Sequence, residues 1–277
     1  MDKNVLLTIA YDGSGFHGWQ RQPAQRTVQG HLEKVMSGVF RRQILLNGTS
    51  RTDAGVHALG QRATFRAPSG IPTEKIPLVV NNALAGAENA GGYAKPPVRI
   101  LKAEDAAEDF HARFNCKGKT YIYRITAGTG ADSRSKLSLV FDRNYTYHLA
   151  ERLDVEAMNE AAGYLVGTRD FKSFEASGGN PRETTVRTIT RGEVYLTETP
   201  GGMKNGGEEG RLQSIEFMVT GDGFLYNMVR IITGTLVEVG RGRRKPEEMK
   251  SIILAEKRSA AGHTAPPGGL YLAEVYY

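Results

Sequence analysis

The chain has very little cysteine and no long apolar run. Its one cysteine, Cys116, excludes an intramolecular disulfide and a cysteine-based metal cluster. The apolar run at residues 5–10 is too short for a signal-peptide core, and no later stretch approaches the length of a membrane span. The six histidines show no compact ligand spacing that would predict a metal site. We therefore expect a cytoplasmic protein in a reducing compartment.

The composition is that of a globular protein with a net positive charge. Hydrophobic residues make up 40% of the 277 residues and charged residues 24%, which is enough apolar material for a real core. The formal net charge is +6, which favours a polyanionic partner. Nucleic acid is the leading candidate.

The first part of the chain alternates strand and helix signals. Thr27 is a plausible N-cap for a helix whose apolar face includes Val28, Leu32 and Met36, while His31, Glu33 and Lys34 lie on its other side. A second helix is expected over residues 71–84. The expected strands are residues 5–11, 44–46, 61–66 and 98–102.

A comparable order recurs in the second part. Residues 119–125 alternate like a strand, and Met158 and Leu165 mark a helix face. Residues 189–196 and 214–220 predict a hairpin, followed by helices from about Leu225 and Pro246 and a final strand at residues 269–277. This order predicts class α+β with antiparallel sheets, in two domains at residues 1–112 and 113–277.

One glycine motif fails the test of context. Gly13-Ser-Gly-Phe-His-Gly18 fits the G-x-G-x-x-G pattern and follows a predicted strand. A dinucleotide site needs a helix that starts inside the glycine run, yet the next helix is expected only after Thr27. We exclude dinucleotide binding.

The most informative stretch is Arg51-Thr-Asp-Ala-Gly-Val-His-Ala58. It places Asp53 between an arginine and a glycine turn, as expected of a carboxylate that stays ionised and acts as a nucleophile. Asp-Ala-Gly is also common turn chemistry, so the loop alone leaves both interpretations open.

Four further stretches mix aromatic residues and arginines, and they carry a family resemblance. They are Tyr11-Asp-Gly-Ser-Gly-Phe-His-Gly-Trp-Gln-Arg-Gln22, Asp109-Phe-His-Ala-Arg-Phe114 leading to Lys119-Thr-Tyr121, Gly223-Phe-Leu-Tyr-Asn-Met-Val-Arg230, and Gly269-Leu-Tyr-Leu272. With the Asp53 loop, they resemble the successive signatures of the tRNA pseudouridine synthase A family, from near residue 11 to the C-terminus.

The resemblance implies two ferredoxin-like halves whose antiparallel sheets flank a central RNA-binding cleft. It also implies isomerisation of uridine to pseudouridine at positions 38, 39 and 40 of the tRNA anticodon stem-loop. No metal or organic cofactor is implied, and the family is one of homodimers. The reaction moves uracil from an N-glycosidic to a C-glycosidic bond with no redox change, so one nucleophile can suffice.

The resemblance assigns roles to five residues. Asp53 matches the catalytic aspartate, which attacks C1′ of the sugar, attacks C6 of the base, or assists loss of the C2′ proton. Tyr121 matches the tyrosine that stacks on the target base and can transfer a proton, and Arg230 matches the arginine that pairs with the aspartate. Arg51 matches a residue beside the flipped nucleotide, and Leu270 matches an apolar residue that packs on the tyrosine.

Two alternatives stay open. A non-catalytic RNA-binding protein could keep the same sheet platform, although it would gain nothing from a carboxylate facing RNA. The second alternative is the same isomerisation on another RNA. The chain also departs from the family in having Ser50 before Arg51, where glycine is frequent, and in a long connection at residues 85–96.

The positive charge predicts a strong salt dependence of RNA binding. Because bound phosphates release counterions, raising salt from 50 to 200 mM should weaken tRNA binding by roughly tenfold or more. Fluorescence anisotropy at several salt concentrations measures this slope. A flat response would contradict a basic RNA-binding surface.

Overall fold

The computed structural model describes residues 2–68, 70–88, 95–128, 140–178, 183–197 and 212–277. The chain forms two compact units. The first unit is Met1–Lys117 with Tyr271–Tyr277, and the second unit is Gly118–Leu270. Residues 89–94 of the connection at 85–96 lie outside the described residues, as does the glycine-rich stretch that the sequence shows at 201–210.

The first unit is built on a mostly antiparallel sheet with two α-helices. Its elements are β1 (Lys3–Tyr11), α1 (Val28–Phe40), β2 (Asn47–Gly48), β3 (His57–Ala67), α2 (Ile76–Glu88), β4 (Val98–Asp105) and β10 (Leu270–Tyr276), the last shared with the end of the second unit. The strand β1 is central, pairing antiparallel with β4 and β3. Two further strands pair with β3 over short stretches. The strand β2 pairs with it antiparallel, and β10 pairs with it in parallel, with Tyr271 opposite His57.

The division into units differs from the expected boundary at residues 112 and 113. The segment up to Lys117 stays with the first unit, and the Lys117 amide donates to the Tyr276 carbonyl at 2.9 Å. The end of the chain returns to the first unit because β10 extends the sheet at β3. Such a pairing between residues more than 200 positions apart leaves no local pattern in the sequence.

The core of the first unit lies between the sheet and its helices. Val5, Leu7 and Ile9 alternate along β1 and are fully buried, as the strand periodicity predicts. Leu32 and Met36 of α1 are also fully buried, and the Thr27 hydroxyl caps this helix by accepting from the Gly30 amide at 3.3 Å.

Two local predictions in this unit were wrong. Residues 44–46 are not a strand, because the Leu46 amide donates to Glu33 and its carbonyl accepts from Gln29. Glu33 is buried rather than on the polar side of α1, since it accepts from Leu46, Gln29 and Arg21 at 2.9–3.0 Å. A carboxylate with three donors is stable inside a protein.

The second unit also combines an antiparallel sheet with helices. Its elements are β5 (Gly118–Ala127), β6 (Tyr147–Leu149), α3 (Val155–Gly163), β7 (Gly167–Asp170), β8 (Val186–Thr197), β9 (Gln213–Gly221), α4 (Met228–Gly240) and α5 (Glu248–Ala255). The strand order is β5-β9-β8-β7, all antiparallel, and β6 adds to β5 in parallel. The fold class α+β with mostly antiparallel sheets is therefore confirmed in both units.

The second unit begins its long helix later than expected. The helix α4 starts at Met228 rather than near Leu225, because Asn227 adopts a left-handed conformation with φ of 59°. The apolar residues Ile232 and Leu236 of α4 are fully buried, as are Phe171 and Phe217. No helix among the described residues combines the length and apolarity that crossing a membrane requires.

Tyr277 attaches the last residues of the chain to the first unit. Its raised pKa predicts that the free energy of unfolding falls at alkaline pH. Its hydroxyl donates to the Ala112 carbonyl at 3.0 Å and lies 2.7 Å from the Thr49 hydroxyl. Burial raises the pKa of Tyr277 to about 12, above the ordinary value of 10.0.

Because the folded state holds this proton more tightly, its stabilising effect is complete below pH 10 and is lost between pH 10 and 12. The free energy of unfolding should fall by about 2 kcal/mol over that interval. Urea unfolding across the alkaline range measures the effect. Tyr277→Phe is the control, and an unchanged slope in this variant would contradict the assignment.

Candidate active site

Asp53 opens a tight turn that leads into β3. The Asp53 carbonyl accepts from the Val56 amide at 3.1 Å, and Gly55 adopts φ of 78°. A positive φ at the third position, with Ala54 on the ordinary side, defines a type II turn, which favours glycine there. The Asp53 side chain is half-buried. The turn therefore holds the carboxylate at the surface on a fixed backbone.

The glycine motif at residues 13–18 braces this turn. The Trp19 amide donates to the Thr52 carbonyl at 3.1 Å, and the Gly55 amide donates to the Phe16 carbonyl at 3.3 Å. A Cβ on Gly13 would lie 2.0 Å from the Val56 carbonyl oxygen, and one on Gly18 would lie 2.5 Å from that of Thr52. Only glycine permits this approach, so the motif serves the Asp53 turn.

His57, which follows the turn, also holds the glycine motif against it. It is 2% exposed, and its Nδ1 accepts from the Gly13 amide at 3.1 Å. The same nitrogen lies 3.3 Å from the Asp12 carboxylate. The ring stacks on Tyr271 of β10, with centroids 4.8 Å apart.

The residues before Asp53 are held by a buried glutamine and a buried hydroxyl pair. The Gln61 side chain is fully buried, donates to the Ser50 carbonyl at 2.7 Å and accepts from the Ser50 amide at 3.2 Å. The hydroxyls of Tyr11 and Thr52 share a hydrogen bond of 2.7 Å. Ser50 does not adopt a positive φ. Serine therefore introduces no backbone strain at this position, where glycine is frequent in the family.

Arg51 lies two residues before Asp53 in the sequence. Its side chain is exposed, and no ion pair involving it is present in the described part of the chain. Arg51 presents its charge to solvent.

Tyr121 and Arg230 belong to the second unit. Tyr121 lies on β5 opposite Val219, is 6% exposed, and meets Phe224 edge to face with centroids 5.0 Å apart. Arg230 lies in the first turn of α4, where its Nε donates to the Ala265 carbonyl and one Nη to Asn227, both at 2.7 Å. These bonds restrict the guanidinium to a narrow range of positions.

Glycines also shape the surroundings of Arg230 and Leu270. A Cβ on Gly234 would lie 1.8 Å from the His263 carbonyl oxygen, so glycine lets the segment that carries Ala265 pack against α4. A Cβ on Gly269 would lie 2.7 Å from a ring carbon of Tyr123. Gly269 thereby positions Leu270, which is 6% exposed and begins β10.

Sequence reasoning missed Gln61 and Asn227. A glutamine inside an apolar strand pattern was the available signal for Gln61, because a buried amide must find hydrogen-bond partners. Asn227 precedes the helix in a left-handed conformation that asparagine tolerates better than most residues, and this was a usable boundary signal.

The first unit therefore offers a preorganised carboxylate, and the second unit offers a restrained arginine and a buried tyrosine. A carboxylate on a rigid turn can act as a nucleophile or as a base. Within the described residues, no three histidine, cysteine, aspartate or glutamate side chains are grouped to hold a metal ion.

Comparison with known proteins covers nearly the whole chain. A family model described as tRNA pseudouridine synthase matches residues 7–115 and 161–277. The tRNA pseudouridine synthase A 2 of Clostridium tetani is 42% identical over all of both chains. The tRNA pseudouridine synthase A of Acetivibrio thermocellus is 42% identical over 99% of this chain and 100% of the relative. The tRNA pseudouridine synthase A of Bacillus pumilus is 42% identical over 99% of this chain and 98% of the relative.

The Gln61 clamp predicts a defined loss of stability. Gln61→Leu keeps much of the volume but leaves the amide and carbonyl of Ser50 without their side-chain partner, which should cost about 1–3 kcal/mol of unfolding free energy. Urea unfolding measures the loss, and amide exchange at Ser50 should accelerate. Gln43→Leu, at an exposed position, is the control and should change stability by less than about 0.5 kcal/mol.

Proposed function

The chain belongs to the tRNA pseudouridine synthase family of isomerases, which convert uridine to pseudouridine, and we propose that its targets are uridines 38, 39 and 40 of the tRNA anticodon stem-loop. The relatives at about 42% identity, called tRNA pseudouridine synthase A or A 2, match over essentially their full length. The observation that carries the proposal is the Asp53 turn, whose backbone is held by the glycine motif at residues 13–18 and by side chains of β3.

Asp53 is the catalytic residue in this proposal. In the reaction the bond between N1 of uracil and C1′ of ribose breaks, the base rotates, and a bond from C5 to C1′ forms. C5 loses a proton and N1 gains one, so no atom is lost and no electron is transferred. Asp53 starts this sequence by attack at C1′, by attack at C6 or by assisting removal of the C2′ proton.

Rigid support of the turn favours any of these roles. A nucleophile reacts fastest when its approach to the reacting atom is fixed in advance. The backbone contacts from residues 13–19, the His57 ring and the Gln61 amide provide such fixation.

The other site residues come from both units. Tyr121 stacks on the target base and transfers a proton, and Leu270 packs against that tyrosine. Arg230 pairs with Asp53 and keeps it ionised. Its bonds to Ala265 and Asn227 support this role, because they hold the guanidinium before substrate arrives. Arg51 contacts the flipped nucleotide, and its exposure supports this role.

We further propose two ferredoxin-like halves around an RNA-binding cleft. In the first unit the chain order β1-α1-β2-β3-α2-β4 and the sheet order β4-β1-β3-β2 support the first half. The assembly is a homodimer that binds tRNA in the cytoplasm. The net charge of +6 supports a polyanionic substrate.

Two rival functions make different demands on the site. A non-catalytic RNA-binding protein has no need of a braced carboxylate beside its RNA surface. Isomerisation of another RNA would use the same residues, so the substrate must be identified directly. Mapping pseudouridine in tRNA from cells that lack this protein does so, and the loss should be confined to positions 38, 39 and 40.

Replacing Asp53 separates catalysis from binding. Asp53→Asn preserves the shape of the side chain but removes the nucleophilic charge, so pseudouridine formation should fall below detection. Tritium release from tRNA labelled at C5 of uridine measures turnover, and filter binding measures affinity. The affinity should stay within about threefold, because no phosphate contact is removed.

Glu74→Gln is a matched control, since Glu74 is an exposed carboxylate of the same unit and lies outside all the motifs of the proposed site. Substantial turnover by Asp53→Asn would refute the nucleophile assignment. Loss of turnover in both variants with equal loss of affinity would indicate a folding defect instead.

A further inference from the structure

The turn at residues 111–115 of the first unit presents an aromatic ring to solvent. Phe114 is 77% exposed, although phenylalanine is among the residues most often buried. The His111 ring lies against it with centroids 4.4 Å apart and planes 33° apart. The Arg113 guanidinium carbon lies 5.8 Å from the Phe114 ring centroid. The tip of this turn therefore combines two aromatic rings and a cation.

The turn is internally rigid. The His111 amide donates to the Asn115 side chain at 2.8 Å, and the Asn115 amide donates to the His111 carbonyl at 3.0 Å. The Arg113 amide donates to His111 Nδ1 at 3.1 Å, which orients the imidazole. Presenting Phe114 in this way costs little further ordering when a ligand binds.

The base of the turn is fixed to the body of the first unit. Ala112 is fully buried, and its carbonyl accepts from the hydroxyls of Thr49 and Tyr277, both at 3.0 Å. The Phe110 ring meets Tyr277 edge to face at 4.9 Å, and its carbonyl accepts from Asn4 at 2.8 Å. A buried base beneath an exposed tip is an arrangement suited to contact with a partner.

We propose that the turn at residues 111–115 is a stacking platform for an unpaired base of the RNA substrate, with Phe114 as the stacking ring and Arg113 as a phosphate contact. This inference rests on the proposed function. Proteins recognise single-stranded RNA by stacking bases on aromatic rings and arginine planes. Arg113 and the exposed Lys117 add positive charge on the same segment.

Because the platform is joined to the segment that precedes Asp53, we assign it to a neighbour of the target base rather than to the target itself. The Thr49 hydroxyl that bonds to Ala112 belongs to the segment that leads into the Asp53 turn. The platform is thus fixed to the catalytic loop through one backbone carbonyl. A base of the unpaired anticodon loop has a free face that can stack, whereas a base inside a continuous duplex has none.

Variants at Phe114 test the platform. Phe114→Ala should weaken tRNA binding about tenfold, and Phe114→Leu should do nearly the same because it keeps apolar volume without a π face. Phe114→Trp should bind within about twofold of the native chain. KM should rise with the loss of affinity while kcat changes little. Leu254→Ala, at a residue 80% exposed on α5, is the matched control and should change neither constant.

Binding to a second RNA tests whether Phe114 contacts unpaired bases. Phe114→Ala should bind a blunt RNA duplex without unpaired bases as well as the native chain does. Equal tRNA affinity for Phe114→Ala and the native chain, or native affinity for Phe114→Leu, would overturn the proposal. So would a change of oligomeric mass on sedimentation with unchanged tRNA affinity, which would make a second copy of the chain the partner. Absence of pseudouridine formation by the native chain would refute the proposed function instead.

Discussion

The close approach of two backbone segments at Gly13 and Gly18 is the constraint on which the candidate site depends. Side chains at these positions would collide with the carbonyl oxygens of Val56 and Thr52. Without that approach, the amide of Trp19 could not reach the loop and the imidazole of His57 would lose its donor. The position of Asp53 thus follows from the absence of side chains elsewhere in the chain.

The second unit uses the same device around Arg230. Gly234 allows a neighbouring segment to touch α4, and the carbonyl of Ala265 on that segment then orients the guanidinium. The turn that carries Asp53 and the guanidinium of Arg230 are therefore both held in part by backbone atoms, which have fewer alternative positions than long side chains. Such preorganisation lowers the reorganisation required during the reaction.

The sequence predicted features that depend on local signals. The cap at Thr27, the strand at residues 5–11, the buried face of α1 and the β8–β9 hairpin were all predicted and confirmed. Residues 44–46 were misassigned because side chains from α1 satisfy the Leu46 backbone, which is a tertiary effect. The roles of Asp53, Tyr121 and Arg230 stay predictions, since they came from motif resemblance and concern chemistry rather than packing.

The return of β10 to the first unit has a consequence for biosynthesis. The strand that pairs with His57 and the hydroxyl of Tyr277 both lie beyond residue 270, after the entire second unit. A ribosome therefore exposes the N-terminal sheet for the time needed to translate about 150 further codons before its last strand emerges. A nascent chain that has not reached residue 271 therefore lacks the ring that stacks on His57.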